Sequence, residues 1–158
     1  MPRRLHAHLA RAAGGALVVG SLTACSLVGG DDQGGEDLDV MEVEPGQCFA
    51  APGEIKAQIS DLTLLDCEVE HAQEAYAVVR YPDPPDSFPG DEALTKFAEG
   101  ACAQEFREYV GVDYLDSKLF FTYLVPSPRS WQDDDRETIC LVTNAGEPLT
   151  GSVQGSKR

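Results

Sequence analysis

The chain has 158 residues, with 27 Asp and Glu against 12 Lys and Arg, for a net charge of −15. That length suits one domain with a tether rather than two domains. The acidic balance argues against nucleic-acid binding and against adhesion to anionic lipid through a basic patch, because phosphates would be repelled.

Residues 1–24 have the parts of a secretory leader. Arg3, Arg4 and Arg11 form a positive start without acids, and an apolar run follows from Ala12 to Ala24, broken by Gly14, Gly15 and Gly20. The run is too short to cross about 30 Å of hydrocarbon as a stable helix. It ends in Leu22-Thr23-Ala24-Cys25, which resembles the lipobox of bacterial lipoproteins, where the Cys becomes the first mature residue and carries lipid. One acyl chain holds a protein only marginally, and the two of a diacylglyceryl group anchor it. The expected location is the outer face of the cell membrane. Cleavage removes three arginines and no acid, taking the charge from −15 to −18. The simplest reading of that charge is solubility and repulsion from a negative envelope.

Five cysteines are present. With Cys25 lipidated, Cys48, Cys67, Cys102 and Cys140 remain, an even number in an oxidising compartment. No Cys-x-x-Cys occurs, so neither a redox motif nor a zinc ribbon is expected. We expect two structural disulfides, Cys48–Cys67 and Cys102–Cys140, with the crossed pairings left open. Each closure is worth about 3–4 kcal/mol on the chain-entropy model.

Residues 25–39, rich in Ser, Gly, Asp, Gln and Glu, read as a flexible tether. The folded domain is expected over residues 40–153, with a frayed end at 154–158. Pro45-Gly46 sets a turn that delivers Cys48 and Phe49 into a short strand. Leu62 to Cys67 and Glu74 to Tyr81 are further strand candidates, the latter stopped by Pro82 and Pro84. Asp91 reads as a helix N-cap. Leu94, Phe97, Ala98, Ala101, Cys102, Phe106, Tyr109 and Val110 recur at steps of three and four, and Gly111 ends that helix. Cys102 lies on its apolar stripe. Lys118 to Val125 and Thr138 to Thr143 are the last strands, joined by a loop over Pro126 to Arg136. The expected fold is α+β: a small, mostly antiparallel sheet with one main helix packed on it and two disulfides.

Few residues invite a chemical role. His71 is the only histidine left after cleavage. It could act as a general base oriented by Glu70 or Glu74, but no nucleophile accompanies it, so a structural histidine bonded to backbone between two strands is the favoured reading. Asp133-Asp134-Asp135 lacks the ligand alternation of a calcium loop and reads as a solvated turn. Asp135 and Arg136 suggest an internal ion pair that fixes the loop. Trp131 is expected to pack in the core or loop rather than to form a ligand platform. No metal or cofactor is expected.

Several of these pieces stand in a recognisable order. Gly46-x-Cys48 resembles a Gly-Asp-Cys opening, with Gln47 in the Asp position. Cys67-x-x-x-His71-x-x-Glu74 resembles Cys-x-x-Pro-His-x-x-Glu, with Glu70 in the Pro position. Phe88-Pro89-Gly90 precedes a helix bearing Cys102. Pro126, Trp131, Asp135-Arg136 and Cys140 resemble Pro…Trp-x-x-Gly-Asp-Arg-x-x-x-Cys, with Asp134 in the Gly position. Thr150-Gly151-Ser152 matches a closing Thr-Gly-Ser. Over about residues 40–153 the chain thus resembles the septum formation domain family of actinobacteria, whose members are tethered to the membrane with the domain outside. The resemblance implies a link with division or envelope growth and supplies no reaction.

The leading expectation is therefore a non-enzymatic, lipid-anchored interaction module of the cell envelope. Its partners would be the membrane, through the lipid, and envelope or division proteins; nothing in the chain indicates an oligomeric state. One alternative is an enzyme acting on envelope polymer through His71 and nearby carboxylates. Another is a lipoprotein that binds a small ligand or metal under Trp131.

Overall fold

The computed structural model describes residues 34–53 and 59–158. The expected leader, the expected lipidation site Cys25 and most of the expected tether lie outside those residues. Among the described residues, no helix is long and apolar enough to cross a membrane.

Six antiparallel strands and one long helix form the α+β domain expected. The strands are β1 (Glu36–Asp39), β2 (Cys48–Phe49), β3 (Asp61–Leu65), β4 (Gln73–Arg80), β5 (Phe120–Leu124) and β6 (Glu137–Thr143), with α1 (Asp91–Val110) between β4 and β5. They make one sheet in the order β1-β3-β2-β4-β6-β5. The longest pairing is β4 with β6, from Gln73 opposite Thr143 to Arg80 opposite Glu137. β5 and β1 are the two edges among the described residues.

The sheet has two apolar faces because side chains alternate along each strand. On β6, Cys140 and Val142 join the cluster under α1, while Ile139 and Leu141 join a second cluster on the opposite face. β4 breaks its alternation at a bulge between Ala75 and Ala77, which sends both Tyr76 and Ala77 to the helix side. The Tyr76 hydroxyl then donates to the Cys102 carbonyl at 2.8 Å. The helix buries Leu94, Ala98, Cys102, Phe106 and Val110, one residue per turn. Its face against the sheet is thus a single stripe, as the spacing of apolar residues predicts. The helix begins one residue earlier than expected. Gly90 is the cap, at φ 96°, and Asp91 sits inside the first turn, where its carboxylate faces the positive helix end. Gly111 ends it in the left-handed region at φ 85°, donating to the Arg107 carbonyl at 3.0 Å.

Both expected disulfides form. Cys48–Cys67 joins β2 to the turn after β3 across 19 residues, and Cys102–Cys140 joins α1 to β6 across 38. The second ties the helix directly to a central strand.

Two boundaries differ from expectation. Glu36–Asp39 belongs to the sheet rather than the tether: it pairs with β3 from Glu36 opposite Leu64 to Asp39 opposite Asp61. Local composition favoured a coil, but backbone pairing with an existing strand outweighs it. The C-terminus is not frayed. Val153 is fully buried, and the amides of Gly155 and Lys157 donate to the carbonyls of Tyr109 and Val110. This last segment satisfies carbonyls at the end of α1, a long-range partnership no local pattern reveals.

Candidate functional site

The motif residues gather in two clusters on different parts of the sheet. The first is organised by Glu74, on β4 and fully buried. One carboxylate oxygen accepts from the hydroxyls of Tyr109 and Ser152, both at 2.5 Å; the other accepts from the Val153 amide at 2.8 Å. Strand, helix and C-terminal segment thus converge on one carboxylate. Burial, and next the bond to Glu74, push the Tyr109 hydroxyl well above its ordinary range. Gly151 enters this corner at φ 73°, its amide donating to the Cys67 carbonyl at 2.7 Å. That left-handed turn brings Ser152 to Glu74.

His71 lies next to this corner. It is 2% exposed and exchanges backbone bonds with Leu149. Its Nδ1 pairs with the Val69 carbonyl at 2.9 Å, and Nε2 is buried without a hydrogen-bond partner among the described residues. Ligand atoms of Cys48, His71 and Glu74 lie within 4.8 Å of one another. They do not make a suitable metal set. Cys48 is committed to a disulfide and offers no thiolate, and the Glu74 oxygens already hold three donors. His71 also borders a depression of about 270 Å³ between Ala50, Glu70 and Glu147. The wall chemistry there is two exposed carboxylates beside a nearly closed histidine edge.

The second cluster is built on Trp131 and Arg136. Trp131 is 2% exposed and meets the rings of Tyr81 and Phe88 edge-on, at centroid distances of 6.0 and 5.9 Å. Tyr81 in turn touches Phe97 of α1. This is the packing role expected of the lone tryptophan. The Arg136 guanidinium stacks 4.0 Å from the Trp131 ring centroid and donates through Nη1 to the carbonyls of Trp131 and Asp135. The expected Asp135–Arg136 ion pair is absent. Asp135 uses its carboxylate to accept the Glu137 amide at 3.1 Å, and the acid near Arg136 is Asp134, at 3.6 Å. Adjacent residues in extended backbone point to opposite sides, so Arg136 turns inward to the loop carbonyls instead. Asp134 occupies the left-handed region at φ 67°. That conformation accounts for Gly in the motif at this position, and Asp is among the few other residues that tolerate it. In the same way, Gln47 closes the first turn with its amide oxygen, which accepts from the Glu44 amide at 2.8 Å.

A feature the sequence did not indicate lies on the face of the sheet away from α1. A groove of about 900 Å³ runs between the first strand-turn segment and the β5–β6 connection. Its floor is apolar, with Val78, Leu124 and Ile139, and its far wall carries Val40 and Val43. Among the described residues five carboxylates line it, those of Asp39, Asp91, Asp133, Asp135 and Glu137, against one guanidinium, that of Arg129. These residues come from five separate stretches, so no local spacing could have announced them.

A disulfide-stapled α+β domain with one helix on an antiparallel sheet, closed by a C-terminal Thr-Gly-Ser around a buried Glu, is the class defined here. The family model for septum formation matches residues 45–157, and the chain belongs to that family. Neither a search of curated proteins nor one of solved structures returned a match.

Proposed function

We propose that the protein is a lipid-anchored, extracytoplasmic interaction module that acts in septum formation by binding another envelope or division component, without catalysing a reaction. The observation that carries this reading is the groove: an open, acid-lined cavity of about 900 Å³ over the sheet face opposite α1, with Asp91 of the helix start at its border. Ligand sites are concave, with an apolar base and a few polar groups at the rim, and this groove has that build. The motif residues, by contrast, are largely engaged internally, although His71 Nε2 and Trp131 Nε1 are buried without a hydrogen-bond partner among the described residues. Glu74, Arg136 and Trp131 bond or stack internally, and His71 holds backbone. A base serving turnover needs hydrogen-bond reach to a substrate proton. The Leu22-Thr23-Ala24-Cys25 motif supports the anchor, which two acyl chains would make stable.

Site-specific photocrosslinking in intact cells tests the binding role. A crosslinker at Ser127 or Arg129, on the groove rim, should capture an envelope protein that one at the exposed Glu99 of α1 does not. Equal capture from both sites, or hydrolysis of envelope polymer by the purified protein, would overturn the reading. Cys25→Ser should release the protein from membranes, and continued retention would refute the lipid anchor.

A further inference from the structure

The two edges of the sheet differ in chemistry. β1 ends one side with Glu36, Asp37 and Asp39, three acids in four residues. Charges of this kind keep foreign strands from pairing with an edge. β5 ends the other side with Phe120-Phe121-Thr122-Tyr123-Leu124, which has no charge, no proline and no bulge. It pairs with β6 along its whole length, Phe120 opposite Thr143 to Leu124 opposite Ile139. On its outer side, its backbone groups find no backbone partner among the described residues. Phe120, at the start of the edge, is 48% exposed. An uncharged, unprotected edge strand is a template for an added strand.

The groove begins where this edge ends. Leu124 at the end of β5 lies in its floor, Val125 borders it, and Asp133 and Glu137 stand exposed on its rim. We propose that β5 and the adjoining groove together receive an extended, basic segment of a partner protein. The segment adds as a seventh strand beside β5 and places Lys or Arg side chains among the groove carboxylates. This deepens the binding role proposed above and rests on it.

Charge selects the occupant. Among the described residues five carboxylates against one guanidinium favour a cation in the groove. A second copy of this chain, at −15, would meet the groove with its own sign. The added strand contributes main-chain bonds along β5, and its alternate side chains face Phe120 and Leu124 on the groove side. Phe121 and Tyr123 pack toward the helix-side cluster and leave that face less accessible.

The test uses the protein purified from membranes in detergent and a random peptide display library. Selected peptides should be rich in β-branched or aromatic residues and in Lys or Arg. Their binding should slow exchange of the β5 amides that do not bond to β6. Asp133→Asn and Glu137→Gln, both at exposed positions, should each weaken binding roughly two- to five-fold at low salt. The wild-type preference should shrink as salt rises. Selected peptides without a basic bias, or unchanged β5 exchange on binding, would overturn the proposal. So would an empty selection, outer-edge amides already protected in the free protein, or a dimer abolished by Phe120→Asp. Any of these leaves the rim crosslinking result standing, so the failure of strand addition is read separately from that of the binding role.

Discussion

Glu74→Ala should be among the most damaging single changes in this domain. The side chain is fully buried, and its two oxygens hold Tyr109, Ser152 and the Val153 amide. Truncation strands the Val153 amide in the interior, and a buried donor without an acceptor costs about 1–3 kcal/mol. Loss of the two hydroxyl partners, which sit nearer solvent, adds about 1 kcal/mol each. Relief of the carboxylate's own desolvation offsets part of this. A net loss of about 3–4 kcal/mol results. With a urea slope of about 2 kcal/mol per molar, the unfolding midpoint should fall by about 1.5–2 M. Equilibrium urea unfolding under non-reducing conditions, followed by Trp131 fluorescence, reads this directly. A cycle with Tyr109→Phe should give a coupling of at least about 0.5 kcal/mol, as expected for residues sharing one network. A midpoint within about 0.3 M of wild type, or additive effects in the cycle, would show that the carboxylate does not hold this corner together.

Other perturbations probe other joints. Burial raises the Tyr76 hydroxyl above its ordinary 10.0, with the nearby Glu105 charge adding to it, and Tyr109 is raised by burial and Glu74. Both stay protonated in the folded state while the unfolded chain ionises. Stability should therefore be unaffected by these groups below about pH 10 and fall as pH rises above it. A tyrosinate absorbance titration should show two tyrosines ionising only together with loss of structure, and five normal titrations would refute this. Arg136→Lys should cost about 1–2 kcal/mol, because an ammonium cannot both stack on Trp131 and reach the two carbonyls as a planar fork does. A shifted Trp131 emission with a lowered melting temperature checks it. Deleting residues 152–158 removes the buried Val153, worth about 1.5–3 kcal/mol, and the last acceptors' partners at the end of α1. Calorimetry should show melting lowered by about 10 °C, and an unchanged transition would restore the frayed end.

The elements that carried their own signal were legible. Leu94, Ala98, Cys102, Phe106 and Val110 recur at four-residue steps, and a repeating apolar face needs only one partner surface to become a helix. Four cysteines allow three pairings, and the structure selects Cys48–Cys67 with Cys102–Cys140. His71 as a backbone-holding histidine and Trp131 as packing were also readable from residue type and context. In the sequence Glu74 stands out only through its motif and as a carboxylate three residues from His71. Its acceptor role depends on Tyr109, Ser152 and Val153, which stand 35, 78 and 79 residues away. The ordered C-terminus escaped for the same reason, since its partners are carbonyls of α1.

Local periodicity, turn residues and cysteine count are properties of neighbours in the chain, and they determined the α+β class, the helix and the strands. Edge identity, the bulge at Ala75–Ala77, the Glu74 corner and the groove are properties of distant segments meeting. Only tertiary structure decided them, because strand order sets which backbone groups are left unpaired and which carboxylates share a cavity. β5 is a plain apolar strand in the sequence; its place beyond β6 makes it an edge.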